Sequence, residues 1–284
     1  MTMNEVLRVS GLCKRYPGFQ LENVGFSLEP GKIHGLVGRN GAGKSTTLKA
    51  LLHMVHPDSG EIRFWGQDMD THQREIKERI GFVTGGVSYY PKKKLREITA
   101  VTRQFYPKWD QNAYEKYCQQ FQLDEGKTPS QLSAGMQVKY ALALALSHGA
   151  ELLLLDEPTS GLDPVSREEL LEIFLDLAEQ GVTILFSTHI TSDLEKCAHR
   201  ILYIQRGKLW CDLALEELLG RYQLAKGSAN LAERAKQAGL VGMRPERGGF
   251  SGLWPAECAP LTGLSYSPAT LEEIMVHLEK EAEE

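Results

Sequence analysis

The run Gly38-Arg39-Asn40-Gly41-Ala42-Gly43-Lys44-Ser45-Thr46 joins residue types suited to one task, holding a polyphosphate. Glycines let successive backbone N–H groups turn toward phosphate oxygens, and a following helix N-terminus adds positive potential. Lys44 neutralises β and γ oxygens, and Ser45 offers a hydroxyl to Mg²⁺. The spacing is G-x-x-x-x-G-K-[ST], set between the apolar strand pattern of residues 33–37 and a helix, which is the context this motif requires. A second chemical pair, Asp156 and Glu157, closes the apolar run Leu152-Leu153-Leu154-Leu155. Asp156 is placed to hold Mg²⁺ through its shell, and Glu157 to orient or deprotonate an attacking water. Pro158 directly after them argues against two acids that merely cap a helix. A third polar end, Ser187-Thr188-His189, follows the strand pattern of residues 182–186. Open α/β sheets bind ligands at the C-terminal ends of their strands, so the three ends are expected at one site.

The elements that must position these groups are legible as short β-branched and aliphatic runs alternating with helical patterns, the pattern of an α/β domain with a largely parallel sheet. After the acidic pair, Asp163 can cap a helix, Pro164 can take its first position, and Ser166 with Glu169 has capping-box spacing. Leu170, Leu171, Phe174, Leu177 and Ala178 recur at helical intervals, and Gly181 supplies the stop. From about residue 85 to 132 the β signal fades while Tyr114, Tyr117, Cys118 and Phe121 repeat at three and four residues, which predicts a mostly helical insertion. From about Trp210 the composition shifts to Gly, Pro, Ala and Glu with no chemical motif, as in a small appended domain. Its last element is a predicted helix, with Thr270 and Glu273 as a capping box before Leu271, Ile274, Met275 and Leu278.

Composition sets the limits. At 284 residues, 42% hydrophobic and 24% charged, the chain can bury a core large enough to fold without disulfides or structural metals. Cys13, Cys118, Cys197, Cys211 and Cys258 include no C-x-x-C pair, which disfavours zinc ribbons and thioredoxin-type chemistry and fits reduced, cytoplasmic thiols. The first ten residues lack the apolar core of a secretory signal. The most apolar stretch, residues 140–155, is interrupted by Ser147, His148, Gly149 and Glu151 and falls short of the roughly 20 apolar residues of a membrane span. A net charge of -5 gives no general attraction to nucleic acid. The run Lys92-Lys93-Lys94 reads as a solvated face.

A further piece, Leu132-Ser133-Ala134-Gly135-Met136, precedes the acidic strand, and Pro158-Thr159-Ser160-Gly161-Leu162-Asp163 follows it. In this order and spacing, over roughly residues 3 to 210, the chain resembles the nucleotide-binding domain of an ABC transporter. The resemblance implies an α/β fold with a P-loop NTPase core of ABC type. It places an ABC ATPase domain at 1–210, with the helical insertion at about 85–150, and a small C-terminal α+β domain at 211–284. It implies ATP with Mg²⁺ as ligands, Ser133 and Gly135 as signature contacts to ATP held by a second subunit, and Asp163 in the D-loop. By the same resemblance His189 is the switch histidine near the γ-phosphate, and Tyr16 the aromatic that stacks on adenine. Two positions depart from the family. Thr84-Gly85-Gly86 stands where a glutamine or an acid usually touches Mg²⁺ and water, and reads instead as a permissive hinge. Met136 replaces a polar residue, with Gln137 one position later.

The compact insertion, the stretch Tyr106 to Asp110 and the ending Thr270-Leu271-Glu272-Glu273-Ile274-Met275 are similar to ABC-2-type exporter ATPases of the bacitracin, lantibiotic and phenol-soluble-modulin kind. This implies an ATP-hydrolysing subunit, cytoplasmic and peripheral on the inner face of the cell membrane. It would power efflux of a peptide or antimicrobial-like substrate through a separately encoded ABC-2-type membrane permease, as a homodimer or pseudo-dimer, with no nucleic acid partner. The competing reading is a soluble ABC ATPase acting on ribosome or DNA. Such proteins resemble paired cassettes or carry long coiled-coil insertions, features this sequence lacks. A GTPase would want an Asn-Lys-x-Asp motif, also missing.

Overall fold

The computed structural model describes residues 5–84 and 90–282, so Gly85 and Gly86 of the expected hinge lie outside the described residues. Two compact units divide the chain. The first takes the chain up to His189 together with Cys197–Asp212, and the second takes Ile190–Lys196 with Leu213 onward.

The first unit begins with β1 (Leu7–Tyr16) and β2 (Phe19–Leu28), antiparallel strands whose alternation sends Leu7 and Val9 inward and Arg8 and Ser10 outward. β3 (Ile33–Val37) is buried at every residue, as a strand covered on both faces must be, and leads to α1 (Lys44–Leu51). β4 (Ser59–Phe64) and β5 (Gln67–Asp68) complete a four-stranded sheet in the order β2-β1-β4-β5. α2 (Gln73–Glu78) then turns the chain into β6 (Ile80–Thr84).

Between β6 and the acidic strand the regular elements among the described residues are all helices. α3 (Leu95–Thr102) precedes α4 (Gln111–Gln120), capped by Asp110, and α5 (Ala134–Ser147), capped by Ser133. The three helices share a buried hydroxyl cluster. Thr99 Oγ1 lies 2.8 Å from Tyr114 OH and 3.0 Å from Tyr140 OH, which also donates to Leu95 O at 3.1 Å. Burial raises the pKa of both phenols above the ordinary tyrosine value, so both remain neutral hydrogen-bonding groups.

β7 (Leu152–Asp156), α6 (Pro164–Glu179) and β8 (Thr183–Thr188) follow, then α7 (Thr191–Cys197), β9 (Arg200–Gln205) and β10 (Lys208–Ala214). The second sheet runs β10-β9-β3-β8-β7-β6, with every pair from β9 to β6 parallel. Its register sets Val37 beside Thr188, Asp156 beside Ser187, and Thr84 beside Asp156. Four strands therefore deliver their C-terminal ends to one level of one edge. α6 starts as its sequence requires, with Asp163 as the cap and Leu170, Leu171, Phe174, Leu177 and Ala178 buried.

The second unit holds α8 (Leu215–Gly220), β11 (Tyr222–Ser228), α9 (Ala232–Gln237), β12 (Val241–Glu246), β13 (Gly249–Pro255), β14 (Ser265–Pro268) and α10 (Leu271–Glu281). Its strands form an antiparallel sheet in the order β12-β13-β11-β14. Thr270 and Glu273 exchange capping-box hydrogen bonds, and α10 buries Leu271, Ile274, Met275 and Leu278. Residues 190–196 group with this unit, where the Glu195 carboxylate accepts from Leu271 N at the start of α10. No helix among the described residues is long and apolar enough to cross a membrane.

Candidate nucleotide site

The glycine loop leaves β3 through a narrow passage. A Cβ on Gly38 would lie 2.2 Å from the Ile204 carbonyl of β9, so no side chain passes there. Gly43, with φ 116°, makes the turn into α1, and Thr47 bonds Gly43 O through both its N–H (2.8 Å) and its hydroxyl (2.9 Å). Ala42 ties the loop to the sheet. Its N–H donates to Arg39 O, and its carbonyl accepts from Gly207 N, both at 3.0 Å. Inside this frame Lys44 curls back, donating from Nζ to Gly38 O at 2.8 Å and to Arg39 O at 3.4 Å.

The acidic pair arrives from β7. Asp156 Oδ1 accepts from Ser45 Oγ at 2.9 Å and from Ser187 Oγ at 2.6 Å. Glu157 sits at φ 52°, a left-handed conformation that costs a non-glycine residue about 1–3 kcal/mol. Its neighbours hold it there. Glu157 N donates to Ser187 O (3.1 Å) and Ser187 Oγ (3.0 Å), and Ser160 N donates to Glu157 O at 3.2 Å. The single Ser187 hydroxyl thus donates to one acid and accepts from the backbone of the next. The turn aims the Glu157 carboxylate between two nitrogens, with Oε1 3.4 Å from Lys44 Nζ and Oε2 2.8 Å from His189 Nδ1.

Lys44, Ser45, Glu157 and His189 line an open cavity of about 620 Å³, together with Asn40, Gly41, Gly43 and Thr46, whereas Gly38, Ala42, Asp156 and Ser187 stand outside its lining. Phe19 and Ser160 line it as well, and sequence reasoning did not assign them. Both depend on how a turn folds back, although an aromatic two residues after Pro17 and a serine inside the Pro158–Asp163 loop were visible signals. Gly18, Phe19 and Gly41 also border a neighbouring hollow of about 590 Å³ that contains Tyr16, Arg15 and Arg206. Tyr16 is therefore beside the loop, with Lys14 Nζ 5.6 Å from its ring centroid. Among the described residues no group of three His, Cys, Asp or Glu side chains forms a metal cage. Ser45 and Asp156 instead present oxygen atoms on one side only, a donor set that suits a hard divalent cation completed by phosphate and water.

Ser133, Gly135 and Asp163 do not line the cavity with Lys44. Ser133 Oγ accepts from Met136 N at 3.2 Å, and Gly135 is buried with Ser166 Cβ 3.4 Å from where its Cβ would stand. Asp163 accepts from Ser166 Oγ (2.6 Å), Ser166 N (3.1 Å) and Val165 N (3.0 Å), and these bonds hold its carboxyl below the usual carboxylate range. The two helix starts thus form a separate surface. The Gln137 amide bonds within the turn that precedes α5, donating to Pro129 O at 3.2 Å and Leu132 O at 3.4 Å.

Comparison with known proteins agrees with this geometry. The family model described as ABC transporter matches residues 21–160. The ABC transporter ATP-binding protein YtrB of Bacillus subtilis (strain 168) is 32% identical over 219 residues, 76% of this chain and 75% of that protein. The bacitracin transport ATP-binding protein BcrA of Bacillus licheniformis is 32% identical over 223 residues, 77% of this chain and 73% of that protein. A solved structure of an ATP binding subunit of an ABC transporter superposes with a TM-score of 0.68 at 26% identity, covering 75% of this chain and 91% of that one. Likeness at this level across three quarters of both relatives means that the chain belongs to the ABC transporter family as an ATP-binding subunit, with ATP hydrolysis as its reaction.

Proposed function

We propose that this chain powers an ABC-2-type exporter by hydrolysing ATP on the cytoplasmic face of the membrane. It acts there with a separately encoded permease and carries a peptide or antimicrobial-like cargo outward. The observation behind the catalytic part is the Glu157 carboxylate held between Lys44 and His189 at the C-terminal edge of the parallel sheet. The glycine loop and Lys44 bind the β and γ phosphates, Tyr16 flanks the base, and Ser45 with Asp156 would hold Mg²⁺, which offsets phosphate charge when bound. Glu157 takes a proton from the attacking water as the bond from Pγ to the ADP oxygen breaks, and His189 keeps the carboxylate aimed.

The cargo class is supported by the likeness to the bacitracin transport protein over most of its length. In this reading Ser133, Gly135 and Asp163 face a second cassette, so two copies, or one copy and a homologue, complete the sites. The test is co-expression with any protein of several apolar spans encoded by a neighbouring reading frame. The expected result is a stable complex whose ATP turnover is stimulated by its cargo peptide. Full activity with no associated membrane protein, and stimulation by ribosomes or DNA instead, would refute the exporter assignment.

A further inference from the structure

A small cavity of about 130 Å³ lies between the end of α1 and the strands β4 and β5, with His53, His56, Glu61, Asp68 and Asp70 in its wall. Two imidazoles and three carboxylates share it, and no lysine or arginine lines it. His53 stands two residues past α1 at φ 52°, a conformation that glycine adopts freely and histidine does not. Its side chain is nevertheless buried, 6% exposed, with Nδ1 3.3 Å from Asp70 Oδ1. Asp68 fixes the turn that presents Asp70, its Oδ1 accepting from Asp70 N at 2.8 Å and from Thr71 N at 3.3 Å. The exposed His56 sets its ring centroid 5.4 Å from that of His53. Burial, with smaller contributions from His56 and Lys77, holds His53 below the ordinary histidine value against the pull of Asp70. At neutral pH the ring is therefore uncharged, and the two groups are not an ion pair. Their separation exceeds the roughly 2.7–2.9 Å of a charge-assisted hydrogen bond. It matches the spacing of about 3.3 Å between two ligands that each stand about 2.0–2.1 Å from a tetrahedral ion.

We propose that His53, His56 and Asp70 form a binding site for a divalent transition-metal ion of the zinc class, with water as its fourth ligand. His53 Nδ1 and Asp70 Oδ1 already stand as two corners of the tetrahedron. Among the described residues no three such side chains yet meet at one point. His56 supplies the third corner by turning about its side-chain bonds, which its exposure permits. Imidazole combined with carboxylate suits Zn²⁺, whereas Mg²⁺ and Ca²⁺ prefer sets made of oxygen alone. Asp68 orients a ligand without touching the ion, and Glu61, engaged by Arg63 Nε at 2.7 Å, adds negative charge nearby. A bound ion clamps the end of α1 to the turn after β5. The site is distinct from the nucleotide cavity, with which it shares no lining residue.

The purified full chain, stripped of metal by a chelator and kept free of nucleotide, is titrated with Zn²⁺ against a chromophoric chelator and with Co²⁺ in the visible. The expected result is a single tight Zn²⁺ per chain that raises the melting temperature and resists displacement by excess Mg²⁺. Co²⁺ should show the strong visible absorption of four-coordinate geometry without the near-ultraviolet band that thiolate ligation adds. Loss of an outer partner alone costs a metal site about 10- to 100-fold in affinity, so loss of a ligand in His53→Gly or Asp70→Asn should cost at least about 100-fold. His56→Gln removes the ligand that arrives last and should cost at least about tenfold. Glycine suits the left-handed backbone at position 53, so His53→Gly keeps the fold, which ATP turnover at the parent rate without Zn²⁺ verifies. No Zn²⁺ bound by the parent, equal affinity in His53→Gly, a thiolate band in the Co²⁺ spectrum, or a spectrum unchanged in all three variants would each overturn the proposal.

Discussion

Glu157 combines a left-handed backbone with a carboxylate fixed at both oxygens, an expensive arrangement for a residue without a task. Glu157→Gln keeps the shape and removes the proposed base. Turnover should fall by about 10² to 10⁴ while ATP affinity, read by direct titration, stays close to the parent value. A loss below tenfold would move the base elsewhere. Ser187 is a positioning residue, because its hydroxyl donates to Asp156 and accepts from the Glu157 N–H. If Asp156 holds Mg²⁺ as proposed, Ser187→Ala should raise the Mg²⁺ concentration for half-maximal turnover by about 10- to 100-fold, the usual range for a lost partner of a metal-binding side chain. An unchanged Mg²⁺ titration with a lower plateau would assign Ser187 to Glu157 alone. Both acids, Lys44 and His189 were legible in the sequence because each follows an apolar strand or a glycine loop. The bridging role of Ser187 was not, since it arises from the register between β7 and β8 and from no local pattern.

At the scale of elements, the helical insertion depends on one hydroxyl shared by three helices. Thr99→Val preserves shape but leaves Tyr114 OH with Glu125 Oε1 (3.1 Å) and Tyr140 OH with Leu95 O as their remaining partners. The expected cost is about 1–3 kcal/mol. Hydrogen exchange should rise across α3, α4 and α5 more than in β3, β7 and β8, and uniform loosening of the sheet would contradict this account. The parallel strands and α6 could be read in advance because full burial and a capping box leave unambiguous patterns. The sheet β2-β1-β4-β5 could not. Its alternation is broken where β1 shifts register between Val9 and Leu12 and again before Lys14, and where Asn23 turns left-handed at φ 50°.

For the molecule as a whole, two buried histidines make stability depend on pH. Burial pushes His34 and His148 down to about 4, the second stacked on Tyr106 with ring centroids 3.8 Å apart. The unfolded chain protonates these groups near 6.5, so between about 6.5 and 4 it binds more protons than the native state and stability falls as pH falls. Each histidine should add a slope of about 1 kcal/mol per pH unit in that window. Urea unfolding at pH 4.5 to 7.5 should show a shallower dependence for His148→Phe, which keeps the stack, and identical slopes would remove His148 from the explanation. Assembly offers a second whole-molecule test. Ser133→Asp keeps a good cap for α5 but sets negative charge on the surface proposed to meet the partner's γ-phosphate. Glu157→Gln protein should dimerise with ATP and not with ADP in light scattering, and adding Ser133→Asp should prevent it while monomer ATP binding is kept. A dimer that ignores nucleotide, or one that survives the added aspartate, would rule out closure around ATP. The amide of Gln137, bonded to the turn before α5, bears on the kinetics of that closure. With the turn before α5 locked by its own carbonyls, the proposed signature surface is already ordered in the single subunit. The encounter therefore avoids the roughly 0.5–1.5 kcal/mol that freezing a loose side chain would subtract, and sequence changes there should act on how long the pair lasts more than on how fast it forms.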